Sequence, residues 1–116
     1  MKTYLGACHC GDVKYEVQAD LSMVVECNCS MCSKKGTLLA FAPLNQFKLL
    51  SGESSLSNYQ FNKKVIHHTF CKNCGVTPFL SAKDSNGNHV KAINVRCLDG
   101  VDLKSLNLTQ VDGRSI

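Results

Sequence analysis

Seven cysteines in three tight groups constrain this chain more than any other feature. The groups are Cys8-His9-Cys10, Cys27-Asn28-Cys29-Ser30-Met31-Cys32 and Cys71-Lys72-Asn73-Cys74, and the eighth cysteine, Cys97, stands alone. In an extended segment Cys8 and Cys10 point to the same side, so both thiolates can reach one ion. A disulfide between them would close a small, strained ring. Cys71-Lys72-Asn73-Cys74-Gly75 has the form of a knuckle in which two thiolates converge from a tight turn. Gly75 takes the positive φ of that turn, and backbone N–H groups are left to donate to the sulfurs. The two pairs together predict a tetrahedral site of four thiolates, Cys8, Cys10, Cys71 and Cys74, coordinatively closed and therefore structural. Tetrahedral sulfur suits iron as well as zinc.

Cys27, Cys29 and Cys32 form a second constellation, with three thiolates on what reads as one short loop. Three protein ligands leave a position open, the arrangement of a catalytic zinc. Three thiolates on Zn²⁺ carry a net charge of about −1, which makes the ion a weak Lewis acid toward water but a good partner for a soft substrate thiolate. Cys97 either joins this set and closes it, or is a buried thiol elsewhere. Lys34 and Lys35 either attract an anionic substrate or are simply solvated. His9, between two inward-pointing cysteines, faces away from the ion. His67 and His68 face opposite sides of a strand, so one of them can approach a site, and His89 follows a turn and is exposed. A thioredoxin-like redox role for Cys71 and Cys74 fits poorly, because such a pair opens a helix in a βαβ unit and here Gly75 follows in a strand-rich setting.

The remainder of the chain reads as β-structure. With 116 residues and 44% apolar content it is sized for one globular domain spanning 1–116, and the absence of Trp predicts a modest core of Leu, Val, Phe and Ala. Val13, Tyr15 and Val17 alternate with Lys14 and Glu16, the period of a half-buried strand. Further strands are expected over 23–27, 38–42, 47–51, 56–61, 65–70, 77–82 and 89–95, separated by turn clusters such as 84–88. Many short strands of this kind predict an antiparallel all-β domain. One helical turn is expected over 103–106, after Asp102. The first residues lack the apolar core of a secretory signal, and the longest apolar run, 38–44, is too short to cross a bilayer, so a cytoplasmic, membrane-free protein is expected. In a reducing compartment the thiols would be free or metal-bound.

The segments Gly6-Ala7-Cys8-His9-Cys10-Gly11, Cys27-Asn28-Cys29-Ser30-Met31-Cys32, Phe70-Cys71-Lys72-Asn73-Cys74-Gly75 and Asn94-Val95-Arg96-Cys97-Leu98-Asp99 resemble, in order, the glutathione-dependent formaldehyde-activating enzyme family, also called the CENP-V/GFA domain. The resemblance implies a β-tent fold, antiparallel sheets pinned by zinc. It implies a structural zinc on Cys8, Cys10, Cys71 and Cys74 and a second, catalytic zinc on Cys27, Cys29 and Cys32. The implied activity is that of a carbon–sulfur lyase, joining formaldehyde to a small thiol such as glutathione to give S-hydroxymethylglutathione, or cleaving such an adduct. A non-enzymatic zinc module for protein interaction or zinc storage is the competing expectation. Nucleic acid is not an expected partner: Lys63-Lys64 lies beside Phe61-Asn62 but no recognition motif accompanies it, and seven thiolates with two zinc ions would bring the formal charge from +4 to about +1.

Overall fold

The computed structural model describes residues 2–60 and 66–112, and among these the chain forms ten strands, one short helix and several 3-10 turns. Strands β1 (Lys2–Ala7), β2 (Lys14–Ala19) and β5 (Phe47–Ser51) make a three-stranded sheet in the order β1-β2-β5. A five-stranded sheet has the order β10-β3-β4-β9-β8, from β3 (Val24–Cys27), β4 (Leu39–Pro43), β8 (Phe79–Lys83), β9 (His89–Asn94) and β10 (Leu108–Val111). Strands β6 (Leu56–Tyr59) and β7 (His68–Cys71) pair with each other. A bridge between His67 and Ser81 brings β7 alongside β8.

The main core fills the space between the two larger sheets, as the alternating pattern requires. Tyr15, Val17 and Ala19 point inward from β2, meeting Ala40 and Ala42 of β4, Phe79 of β8 and Ile93 of β9. Tyr15, Phe47 and Phe79 form an aromatic triad with ring centroids 4.8–5.6 Å apart. The Tyr15 hydroxyl would be costly to bury unpaired, and it donates to the Pro78 carbonyl at 3.0 Å. Gly6 faces this ring so closely that a Cβ would lie 2.4 Å from Tyr15 Cζ.

The all-β expectation holds. Each of the eight segments read as strands contains one, and the turn at 103–105 is a 3-10 turn capped by the Asp102 side chain. Strand β8 starts at Phe79 rather than 77 because the carbonyls of Thr77 and Pro78 are engaged by Asn94, and Pro78 has no N–H to give a ladder. The structure adds two strands, β1 and β10, that were not anticipated. It also departs from a purely antiparallel arrangement, since β10 runs parallel to β3, with Leu108 opposite Val24 and Val111 opposite Cys27. The expected strand ends at Phe61 and Val65, and the basic pair Lys63-Lys64, lie outside the described residues. No helix among the described residues is long and apolar enough to cross a membrane.

Candidate metal centres

The turn between β1 and β2 carries Cys8 and Cys10. It is closed by the Cys8 N–H donating to the Val13 carbonyl at 3.1 Å, with Gly11 at φ 84°. The Cys71–Gly75 knuckle follows β7. There the Gly75 N–H donates to the Cys71 carbonyl at 2.7 Å, and Gly75 has the positive φ, 82°, that the sequence predicts. These two turns bring Cys8, Cys10, Cys71 and Cys74 together, with all four sulfurs within 4.8 Å of one another. Cys8 and Cys10 Sγ are 3.6 Å apart, and Cys10 and Cys71 Sγ 3.7 Å. Four sulfurs about 2.3 Å from a common zinc would be separated by about 3.8 Å, so the spacing fits a tetrahedral thiolate site.

Two of these sulfurs differ sharply in their electrostatics. The Val76 backbone N–H, followed by the Cys10 N–H and the Cys71 and Cys8 thiols, lowers Cys74 to about 6. Cys10 receives the Asp12 N–H and the Asn73 side chain, yet its thiol neighbours Cys8 and Cys71 help push it up to about 11. A divalent cation between the sulfurs would favour the thiolate form of both.

The second group is built on a helix rather than on the loop expected from the sequence. Helix α1 (Ser30–Lys35) starts within the cluster, and its N-cap is Cys29, whose thiol accepts the Cys32 N–H at 3.3 Å in the place usually taken by a Ser or Asp oxygen. Gly36 ends the helix at φ 71°, donating to the Cys32 carbonyl. The strand end supplies Cys27 and the first helical turn supplies Cys29 and Cys32, with all three sulfurs within 4.8 Å of one another. Burial opposes ionisation of Cys29, but the Cys32 N–H and the thiols of Cys32 and Cys27 outweigh it and hold Cys29 below its ordinary value. Burial, then the Cys29 thiol, raises Cys32 to about 12.

This triad sits on the face of the five-stranded sheet turned away from the main core. Cys32 packs with Val25, Leu39, Leu80 and Ala92, and Cys27, Cys29 and Val111 join at the edge. Phe41, two residues beyond Leu39 on the same face of β4, remains half exposed. Strand β10 buttresses the site: the Asn28 N–H donates to the Val111 carbonyl at 3.1 Å, and the Asn28 side chain donates to Asp112 at 3.0 Å.

Cys97 joins neither group. It is half-buried with its thiol toward the Thr77 carbonyl at 3.6 Å, and burial, then the charges of Cys8 and Cys74, raises it to about 11. His9 and His89 are exposed. His67 is exposed and engaged with Asn58 at 3.0 Å. His68 is buried, and burial together with the nearby Lys35 charge lowers its pKa. The structure separates the two lysines that the sequence could not: Lys34 is solvated, whereas the Lys35 ammonium donates to Thr77 Oγ1 and lies 5.5 Å from the Phe70 ring centroid. Thr77 and Phe70 were not singled out as site residues in the sequence, and His68 only as one of a pair that could approach a site, because they meet α1 through the β7–β8 pairing. A shallow depression of about 350 Å³ lined by Asn58, His67, Ser81 and His89 contains no thiol.

Two comparisons with known proteins agree with this arrangement. A crystal structure of a Rhodobacter sphaeroides protein superposes with a TM-score of 0.79 at 29% identity, covering 90% of this chain and 99% of the other. The sequence profile described as glutathione-dependent formaldehyde-activating enzyme matches residues 3–109. With two thiol groups placed as the sequence grouped them and a profile match running through both, the chain belongs to the glutathione-dependent formaldehyde-activating enzyme family.

Proposed function

We propose that the protein is a zinc-dependent, carbon–sulfur lyase-like enzyme that joins a small thiol such as glutathione to formaldehyde, or cleaves the adduct. The observation supporting this reading is the three-thiol group, in which Cys27, Cys29 and Cys32 converge while Cys97, the cysteine that could have closed the set, faces the Thr77 carbonyl. We assign Cys27, Cys29 and Cys32 to a catalytic zinc and Cys8, Cys10, Cys71 and Cys74 to a structural one. Both belong to a single unit spanning 1–116, and a reducing, cytoplasmic setting suits its eight free thiols. Held by these three residues, zinc would have room for a thiol sulfur and would favour its ionised form near neutral pH.

The chain's own residues supply orientation and a dry seat. The N–H groups of Cys29 and Cys32 donate to the sulfurs of Cys27 and Cys29, fixing their direction. The Ser33 hydroxyl donates to the Asn28 carbonyl at 2.9 Å and ties α1 to the strand end. Val25, Leu39, Leu80 and Ala92 exclude water from one side, which strengthens charge interactions on the other. In the forward direction the thiolate lone pair forms the carbon–sulfur bond, the carbonyl π pair moves to oxygen, and that oxygen takes a proton. Cleavage reverses each movement.

The test is the rate of S-hydroxymethyl-thiol formation from glutathione and formaldehyde against the spontaneous reaction. Zinc-loaded protein should exceed the background, and Cys29→Ser should lose at least about 10-fold, the loss seen when even a residue supporting a metal ligand is removed. Equal rates for protein, variant and buffer would overturn the enzyme reading and leave the non-enzymatic zinc module in its place.

A further inference from the structure

We propose that Lys35 is the anion-binding residue of the three-thiol site and selects thiols that carry a second, negatively charged group such as a carboxylate. The inference rests on the reading that this site takes a thiol, and adds to it which thiols are preferred and why. Lys35 follows Cys32 by three residues on α1, which places the two on the same side of the helix. The residue as a whole is exposed, but its ammonium end is tucked against Thr77 Oγ1 and the Phe70 ring, and burial lowers its pKa. The opposing influence on Lys35 is Cys32, whose sulfur lies near enough to act on the ammonium when ionised. Its hydrogen bond nevertheless goes to Thr77 and not to a sulfur. Among the described residues its partners are a hydroxyl and an aromatic face, neither of them an anion. An ammonium has three donors and here satisfies one of them with protein.

Charge balance gives this cation a task. Three thiolates on a divalent ion leave about −1, and a thiolate ligand makes it about −2 against an apolar seat, where uncompensated charge is expensive. A carboxylate on the ligand adds to it, and that added charge is the one Lys35 meets. Its bond to Thr77 leaves two N–H donors of the ammonium for the far end of a short bifunctional ligand. Lys91 provides a built-in comparison. It too donates to a hydroxyl, Ser81 Oγ at 2.7 Å, and lies over the Phe47 and Phe79 rings, but burial alone acts on it and no thiol lies in its field.

Cobalt-loaded protein can be titrated with mercaptoacetate and with neutral mercaptoethanol, reading sulfur-to-cobalt absorption for the dissociation constant. Lys35→Met should weaken mercaptoacetate by about tenfold, the equivalent of one charge-assisted hydrogen bond, and change mercaptoethanol by less than about twofold. Lys35→Arg should recover most of the loss, and Lys91→Met should leave both thiols unchanged. Equal weakening of the two thiols, or none, in Lys35→Met with a native circular dichroism spectrum would overturn the role of Lys35 while the thiol site stands. If neither thiol alters the spectrum of the wild-type protein, the thiol-site reading fails and the proposal with it.

Discussion

Gly6 and Tyr15 show how tightly single residues are fitted in a core without Trp. A Cβ on Gly6 would overlap the Tyr15 ring, and that ring cannot retreat because Phe47 and Phe79 flank it and Pro78 holds its hydroxyl. Gly6→Ala should therefore destabilise the fold by about 1–3 kcal/mol through overpacking, lowering Tm by roughly 5–15 °C in a thermal melt. A melting temperature unchanged within a degree or so would mean that the triad has slack its geometry does not suggest. At this scale the sequence was informative about cysteines and nearly silent about their neighbours. Spacing alone sorted Cys8, Cys10, Cys71 and Cys74 from Cys27, Cys29 and Cys32, because ligand spacing is a local property. The fate of Cys97 and the difference between Lys34 and Lys35 depend on which strands pair, and no local pattern carries that.

Among the elements, α1 and β10 matter most to the three-thiol site. The sequence reading missed both for physical reasons. Helix α1 is too short to show a hydrophobic period, and its cap is a thiol that looks like a ligand rather than a helix signal. Strand β10 is exposed along three of its four residues, so it lacks the alternation that marks a half-buried strand. Its parallel pairing with β3 is invisible in either segment alone. The two bonds that bring Asn28 to Val111 and to Asp112 just beyond it make β10 a brace for the β3–α1 junction bearing Cys27 and Cys29. Truncation after Asn107 should reduce the zinc content from about two ions per chain to about one, with the four-thiol ion retained, since three ligands on an unbraced junction hold metal less firmly. Metal analysis of purified truncated protein measures this, and an unchanged stoichiometry would show β10 to be a passive edge.

The four-thiol group joins the β1–β2 turn to the knuckle after β7, and with zinc bound it would tie the whole molecule together. Structural zinc sites contribute on the order of 10 kcal/mol, comparable to the entire stability of a small domain. Complete chelation should therefore abolish the β-sheet circular dichroism signal, and restoring zinc should recover it. A spectrum unchanged after verified metal removal would show that the sheets hold without the clamp. The architecture at this scale was legible as all-β because period-2 segments are local, while sheet order and the two-sided use of the five-stranded sheet are not local and emerged only in three dimensions.

The clamp also has a consequence in time. Its two halves are 61 residues apart in the chain, so a growing polypeptide exposes Cys8 and Cys10 long before Cys71 exists to join them. During that interval the first pair is an unprotected dithiol, open to oxidants and to whichever soft metal arrives first. Correct assembly therefore depends on how quickly the second half is made and on the thiol chemistry of the compartment while it is being made.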